Sequence, residues 1–357
     1  MRLITDWFRR TFSDPQVVLL AVLLATGFLV IVYLGDMLAP VLASVVMAYL
    51  LEGLVAFLER RGWPRIAAVW LVFAVFVLFL SLLLFGVLPL VSRQLTDLIQ
   101  QIPSMMAKGQ QVLMHLPERY PDLVSPEQIQ EIFAVVRQGT LELGQRALSV
   151  SLASLVGLIT VMIYIILMPL LVFFFLKDKA LIVDWFTQFL PQDRLFAKQV
   201  WGDVDRQIAN YVRGKFFEIL IVWAASLVAF TAFGLQYALL LSVLVGLSVI
   251  IPYIGAVVVT IPVLLIAWFQ WGWSPDFFWL TFAYLVIQGL DGNVLVPLLF
   301  SEVVNLHPVA IIVAILVFGG FWGFWGVFFA IPLATLVHAV LHAWPRNGAA
   351  MASPPAG

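Results

Sequence analysis

The chain has 357 residues, 63% of them hydrophobic and only 11% charged, and its mean hydropathy is +1.06. A water-soluble domain of this size cannot hide that much apolar surface, so lipid is the expected solvent and the bilayer the first partner. A formal net charge of −1 argues against a basic face for nucleic acid, and the absence of cysteine removes any disulfide framework, thiol nucleophile or thiolate metal site.

A spanning helix needs about 20 mostly apolar residues. Val17 to Leu34 is the first such run. Arg9 and Arg10 precede it, but no cleavage site followed by a soluble domain comes after, so it is expected to be retained as a helix. Met37 to Leu58 is the second run, carrying Glu52, and Ile66 to Val91 is the third. A polar segment from Ser92 to Ser149 follows, in which Leu95, Leu98, Ile99, Ile102 and Met106 fall at helical spacing. A second helix in this segment is expected to start near Ser125-Pro126-Glu127-Gln128, which has a capping residue, a first-turn proline and a capping-box glutamine.

Val150 to Leu176 is the fourth apolar run. The segment after it places Val200, Val204, Ile208, Tyr211 and Val212 on one helix face. Phe216 to Leu235 is the fifth run. Tyr237 to Phe269 is too long for one straight span and is expected to break at Ile251-Pro252-Tyr253-Ile254-Gly255 and again at Pro262. Phe277 to Leu299 comes next, and Pro308 to Leu341 is again overlong, with breaks expected at Gly319-Gly320, Gly323, Gly326 and Pro332. The predicted fold is an all-α polytopic membrane protein of about eight membrane helices, broken or curved toward the C-terminus, with an amphipathic helical extracytoplasmic segment.

Basic residues set the expected orientation. Arg2, Arg9 and Arg10, then Arg60, Arg61 and Arg65, then Lys177, Lys179, Arg194, Lys198, Arg206, Arg213 and Lys215 fall in stretches that alternate as cytoplasmic segments should. The Ser92–Ser149 segment, with five basic and six acidic residues, is expected outside. Eight spans would place both termini in the cytoplasm of a prokaryote, across its inner membrane.

From Phe216 to Trp344 there is no Lys or Arg, and the only charges are Glu218, Asp276, Asp291 and Glu302. Membrane segments exclude charge in general, but acids kept without a basic partner are candidates for binding a proton or a cation. Gln288, Asp291 and Asn293 are the densest polar cluster in an otherwise apolar run. Gln288 and Asp291 share a helix face, and Asn293 joins them only if Gly292 bends the helix. The competing reading is an ordinary Asp-Gly-Asn turn at a helix end, which Pro297 also suits. Glu302 and His307 flank Pro308 and read equally as exposed loop residues.

The order and spacing of several pieces resemble the autoinducer-2 exporter (AI-2E) family of PerM-like permeases over nearly the whole chain. These are Tyr211-Val212-Arg213-Gly214, Ile250-Ile251-Pro252-Tyr253-Ile254-Gly255 with Ile261-Pro262, and Asp291-Gly292-Asn293-Val294-Leu295-Val296-Pro297. Leu306-His307-Pro308, Gly319-Gly320, Gly323-Phe324-Trp325-Gly326 and Ala330-Ile331-Pro332-Leu333 complete the set. One departure is Ala256, where many relatives have proline. The resemblance implies a homo-oligomeric membrane transporter, with autoinducer-2 export or sodium/proton antiport as the linked activities and no cofactor. It fixes the class better than the cargo.

Prolines inside membrane helices leave backbone groups that lipid cannot satisfy, so breaks are expected to lie against protein or a water-filled path. On that ground Pro252, Tyr253, Gly255, Gln288, Asp291, Asn293, Pro297 and Glu302 are the expected pathway or binding residues for a small polar solute or monovalent cation. Pro262, Gly319, Gly320, Gly323, Gly326 and Pro332 are the expected hinges. Gly255 precedes Ile261-Pro262 as Gly326 precedes Ile331-Pro332, a loose internal repeat of the kind that points to transporter sites. The expected organisation is membrane helices over 1–91, the outer segment over 92–149, a membrane helix over 150–176, an inner amphipathic segment over 177–215, a transport core over 216–344 and a disordered tail over 345–357.

Enzyme readings fare poorly. His338 and His342 have metal-like spacing but no evident third ligand, and Gly289-Leu290-Asp291 lacks the paired aspartate of an intramembrane protease. No phosphate-binding loop occurs, so direct ATP drive is not expected. A non-transporting scaffold that binds envelope proteins through the outer segment is the alternative of another class.

Overall fold

The computed structural model describes residues 15–114, 138, 155–188, 195–300 and 307–343. The second outer helix near Ser125, residue Glu302, the N-terminal arginines and the tail lie outside the described residues.

Among the described residues all regular structure is helical. Helix α1 runs Pro15–Arg60 as one element of 46 residues. This corrects the expectation of two helices meeting between Leu34 and Met37. A helical glycine costs about 1 kcal/mol, less than opening two helix ends in lipid, so Gly35 and Asp36 stay in the ladder. Helix α2 (Arg65–Leu82) passes through a π-turn, Leu83–Val87, into α3 (Leu88–Met114). The third apolar run and the start of the polar segment are therefore one continuous helix through Ser92.

Then come α4 (Leu155–Lys177), α5 (Lys179–Thr187) and α6 (Leu195–Ala232). In α6 the inner amphipathic stretch and the fifth apolar run are a single helix. Helices α7 (Ala238–Ser248), α8 (Ile254–Trp271) and α9 (Pro275–Leu290) follow. A second π-turn, Asp291–Leu295, leads into α10 (Val296–Phe300), then α11 (Pro308–Phe328) and α12 (Ala330–Ala343).

Both π-turns end two residues before a proline, Pro89 in one case and Pro297 in the other. A proline has no amide for the carbonyl four residues earlier, and the wider turn is the local adjustment to that loss.

Six helical stretches among the described residues are long and apolar enough to cross a membrane: Met37–Arg60, Arg65–Gln111, Asp205–Ala232, Ile254–Trp271, Pro275–Phe300 and Val309–Phe328. Tyr164–Lys177 and Ala238–Ser248 are shorter apolar helices. Large apolar side chains stand exposed along these helices, Phe85 at 82% and Leu298 at 74% among them, which is the surface a lipid-embedded chain presents. The protein is an all-α, multi-pass membrane protein.

The chain folds as two compact units. One takes its described residues from Met1–Val69, Leu171–Phe217 and Val294–Gly357, the other from Trp70–Leu170 and Glu218–Asn293. In the first, α11 packs on α12 and on α1. In the second, α7 packs on α3 and α8, and α8 packs on α9.

Glutamines fix the short α6–α7 link in this second unit. Gln270 accepts from the Gln236 amide at 2.7 Å and donates to the Gly234 carbonyl at 2.8 Å. Gln94 of α3 accepts from the Leu240 amide at 2.8 Å, satisfying an open donor at the start of α7. Gln94 thus occupies the inward position, while Leu95 is exposed. Burial, and then the Asp97 carboxylate, push the Tyr237 phenol in that link above its usual range.

Candidate functional site

The break between α7 and α8 is sharp. Tyr253 has φ 63° and ψ −52°, and the Ile254 amide bonds the Pro252 carbonyl at 2.7 Å. That is a γ-turn with positive φ at its centre, a rare and strained form that costs a non-glycine residue of order 1–3 kcal/mol. Gly255 is buried, and a Cβ placed on it would lie 1.8 Å from the Ser248 carbonyl oxygen. Only a residue without a side chain lets the backbones of α7 and α8 meet this closely.

The amides of Ile250, Ile251, Ile254, Gly255 and Val257 all bond carbonyls within the break. Those amides are thus satisfied by the backbone of the break itself. Pro262, expected as a second break, lies inside α8, which continues past it to Trp271.

A chain of hydrogen-bonded polar groups, half-buried at Thr260 and Gln288 and buried at Tyr284, leads away from this break. The Thr260 hydroxyl donates to the Ala256 carbonyl at 2.7 Å and lies 2.9 Å from the Tyr284 hydroxyl. Gln288 Nε2 donates to the Tyr284 hydroxyl at 2.6 Å. Because the Thr260 proton is engaged with Ala256, the Tyr284 O–H donates to Thr260. The order of donors is then Gln288, Tyr284, Thr260, ending on a carbonyl at the start of α8. Tyr284 is fully buried, and Phe230 of α6 packs on its ring at 6.1 Å.

This chain joins two pieces that the sequence places far apart, the Pro252–Gly255 break and the Gln288–Asn293 cluster. Its central members, Tyr284 and Thr260, were missed by sequence reasoning. The available signal was their helical spacing: Tyr284 lies four residues before Gln288, and Thr260 one turn into α8 after Ala256.

Asp291 stands at the junction of α9 and the π-turn, half-buried, three residues beyond Gln288. Asn293 does not join them: it is exposed, and its Nδ2 donates back to the Gly289 carbonyl at 2.8 Å. The π-turn, rather than a bend at Gly292 alone, separates the two. Pro297 is exposed in α10.

The first unit contains a second tight reversal. Gly323 departs from helical backbone at φ 56° and ψ −133°, a conformation open only to glycine. Gly326 is buried, and a Cβ there would lie 1.8 Å from the Phe318 carbonyl oxygen. Gly319 and Gly320 stay helical, and Pro332 falls in the first turn of α12, where a proline is tolerated. In the same unit the Tyr211 hydroxyl donates to the Phe328 carbonyl at 3.0 Å, between the rings of Phe300 and Phe328.

Two other sequence candidates have structural partners. His307 caps α11, its Nδ1 accepting from the Val309 amide at 3.3 Å. Glu52 pairs with Arg65 at 3.3 Å and Lys179 at 3.2 Å. Nearby, Tyr49 donates to Asp205 at 2.6 Å. No group of three metal-type side chains occurs among the described residues.

The family model for AI-2E family transporters matches residues 18–346. The chain belongs to the AI-2E transporter family. Relatives bear this out along the full length. The candidate permease PerM of Escherichia coli (strain K12) is similar to this AI-2E member at 49% identity over 346 residues, covering 97% of this chain and 98% of PerM. The candidate transport protein YueF of Bacillus subtilis (strain 168) is 27% identical, covering 87% of this chain and 84% of YueF. A candidate transport protein of Thermotoga maritima is 25% identical, covering 92% of this chain and 94% of that relative.

Proposed function

We propose that this AI-2E family transporter is a secondary permease exporting a small polar solute of the autoinducer-2 type. We place its binding residues along α8, α9 and the π-turn that follows: Pro252, Tyr253, Gly255, Gln288, Asp291 and Asn293, joined by Thr260 and Tyr284. One observation carries the reading. A run of neutral hydrogen-bonding groups, centred on the buried Tyr284 with Thr260 and Gln288 half-buried on either side, lies within an apolar membrane unit, and polar groups kept inside membrane proteins mark solute paths. The strained turn at Tyr253 supplies a place where α7 and α8 can change angle, and π-turns recur at functional sites.

Such a permease needs no cofactor and performs no covalent chemistry. It sits in the bacterial inner membrane as a homo-oligomer with both termini in the cytoplasm. The test is solute flux in proteoliposomes. Asp291→Asn with unchanged helix content should lose most of the flux, and full flux in that variant would remove Asp291 from the mechanism. Cysteines introduced at Asn293 and Val294 should react with water-borne reagents, whereas Gly255 has no room for one.

A second reading within the same family is sodium/proton antiport. It is favoured by the acids between Phe216 and Trp344, a stretch with no Lys or Arg. Ion-gradient-driven proton movement with no solute present would select it.

A further inference from the structure

The turn between α1 and α2 holds more positive charge than its acids neutralise. Glu52 is shared by Arg65 and Lys179, and Glu59 pairs with Arg65 at 3.3 Å. Arg65 also donates to the Leu176 carbonyl at 2.8 Å. Arg60 and Arg61 are exposed, and neither has an acidic partner among the described residues. The local carboxylates are thus committed to Arg65 and Lys179, and two guanidiniums remain uncompensated.

An apolar flank adjoins this turn. The Arg61 guanidinium lies 4.3 Å from the centroid of the Phe57 ring. Stacking of that kind orients the guanidinium plane and leaves its edge N–H groups available for an oxyanion. Phe57 is itself exposed, as are Trp63 and Ile66. Two spans, Met37–Arg60 and Arg65–Gln111, end and begin at this turn, so it lies where hydrocarbon gives way to headgroups. A soluble anion needs only the charges. A lipid needs the charges and the apolar flank together, and this turn offers both.

We propose that the Arg60–Trp63 turn binds the headgroup of an anionic phospholipid. Arg60 and Arg61 donate to its phosphate, Phe57 holds the Arg61 plane, and Trp63 and Ile66 contact the upper acyl chain. A zwitterionic lipid would bring its ammonium toward two unpaired guanidiniums, so phosphatidylglycerol should be preferred to phosphatidylcholine.

The experiment uses the full chain in nanodiscs of phosphatidylcholine with or without phosphatidylglycerol, scoring bound lipid by native mass spectrometry after release. Wild type should retain phosphatidylglycerol, and Arg60→Gln/Arg61→Gln should lose roughly tenfold of that preference. Arg60→Lys/Arg61→Lys, which keeps the charge, should retain most of it, and Phe57→Leu should fall between. Wild type in high salt gives the same reading without any variant: the preference should shrink. Equal retention in wild type and the glutamine variant would overturn the site. So would displacement of the lipid by millimolar inorganic phosphate, which would make it a soluble-anion site.

Discussion

Replacing Tyr284 by Phe removes one oxygen and leaves the ring in place against Phe230, so it isolates the hydroxyl from the packing. Two hydrogen bonds go with it, at 2.6 Å to Gln288 and 2.9 Å to Thr260. Inside a membrane protein a side-chain hydrogen bond contributes on the order of 0.6 to 1.7 kcal/mol. Leaving the half-buried Gln288 amide without its acceptor adds a cost at the low end of the about 1–3 kcal/mol for a stranded donor. Tyr284→Phe should therefore destabilise the fold by roughly 2–3 kcal/mol. Thr260→Val breaks the same chain one link later and should cost about 1–2 kcal/mol. The double variant loses the shared bond once rather than twice, so it should fall short of the sum by about 1 kcal/mol. Reversible unfolding of the purified protein in mixed micelles measures all three. If Tyr284→Phe stays within about 0.3 kcal/mol of wild type, or the two changes add without coupling, the chain of donors is not formed in the protein.

Gly255→Ala and Gly326→Ala each force a Cβ against a backbone carbonyl at 1.8 Å, and expression with thermal unfolding should show losses above about 3 kcal/mol. Gly292→Ala meets nothing within 4 Å and should unfold within about 0.5 kcal/mol of wild type in the same assay. Glu52→Gln leaves Arg65 with Glu59 as its one carboxylate partner among the described residues, beside the Leu176 carbonyl, and Lys179 without its carboxylate partner. Because the basic side chains are partly exposed, the loss should be only about 1 kcal/mol and should shrink in high salt, as thermal melts across a salt series would report. Gln270→Leu releases the Gln236 amide and the Gly234 carbonyl, and hydrogen exchange at the α6–α7 link should quicken while that of α8 stays slow.

Much of this protein could be read directly from its residues. Apolar runs near 20 residues dictate membrane helices, because lipid leaves the backbone no other partner than itself. The Pro252–Gly255 and Gly323–Gly326 interruptions were visible for the same reason: proline and clustered glycine are the residues that a helix tolerates least. Where two apolar runs are separated only by Gly35-Asp36, local composition misleads, since the penalty of ending a helix in lipid exceeds the penalty of a poor helix former. Pro262 misleads in the other direction, because a single missing amide need not interrupt a helix that has packing on either side.

What the tertiary structure alone decided is which polar residues act together. Sequence allowed Asn293 to join Gln288 and Asp291 only if Gly292 bent the helix, and in the structure Asn293 bonds back to Gly289 instead. Thr260 and Tyr284 looked like ordinary members of apolar helices until the packing of α8 on α9 brought their hydroxyls to 2.9 Å. Hydropathy and periodicity report where a side chain sits around its own helix. They hold no information on the angle and register at which a second helix meets it, and a hydrogen bond between helices depends on both.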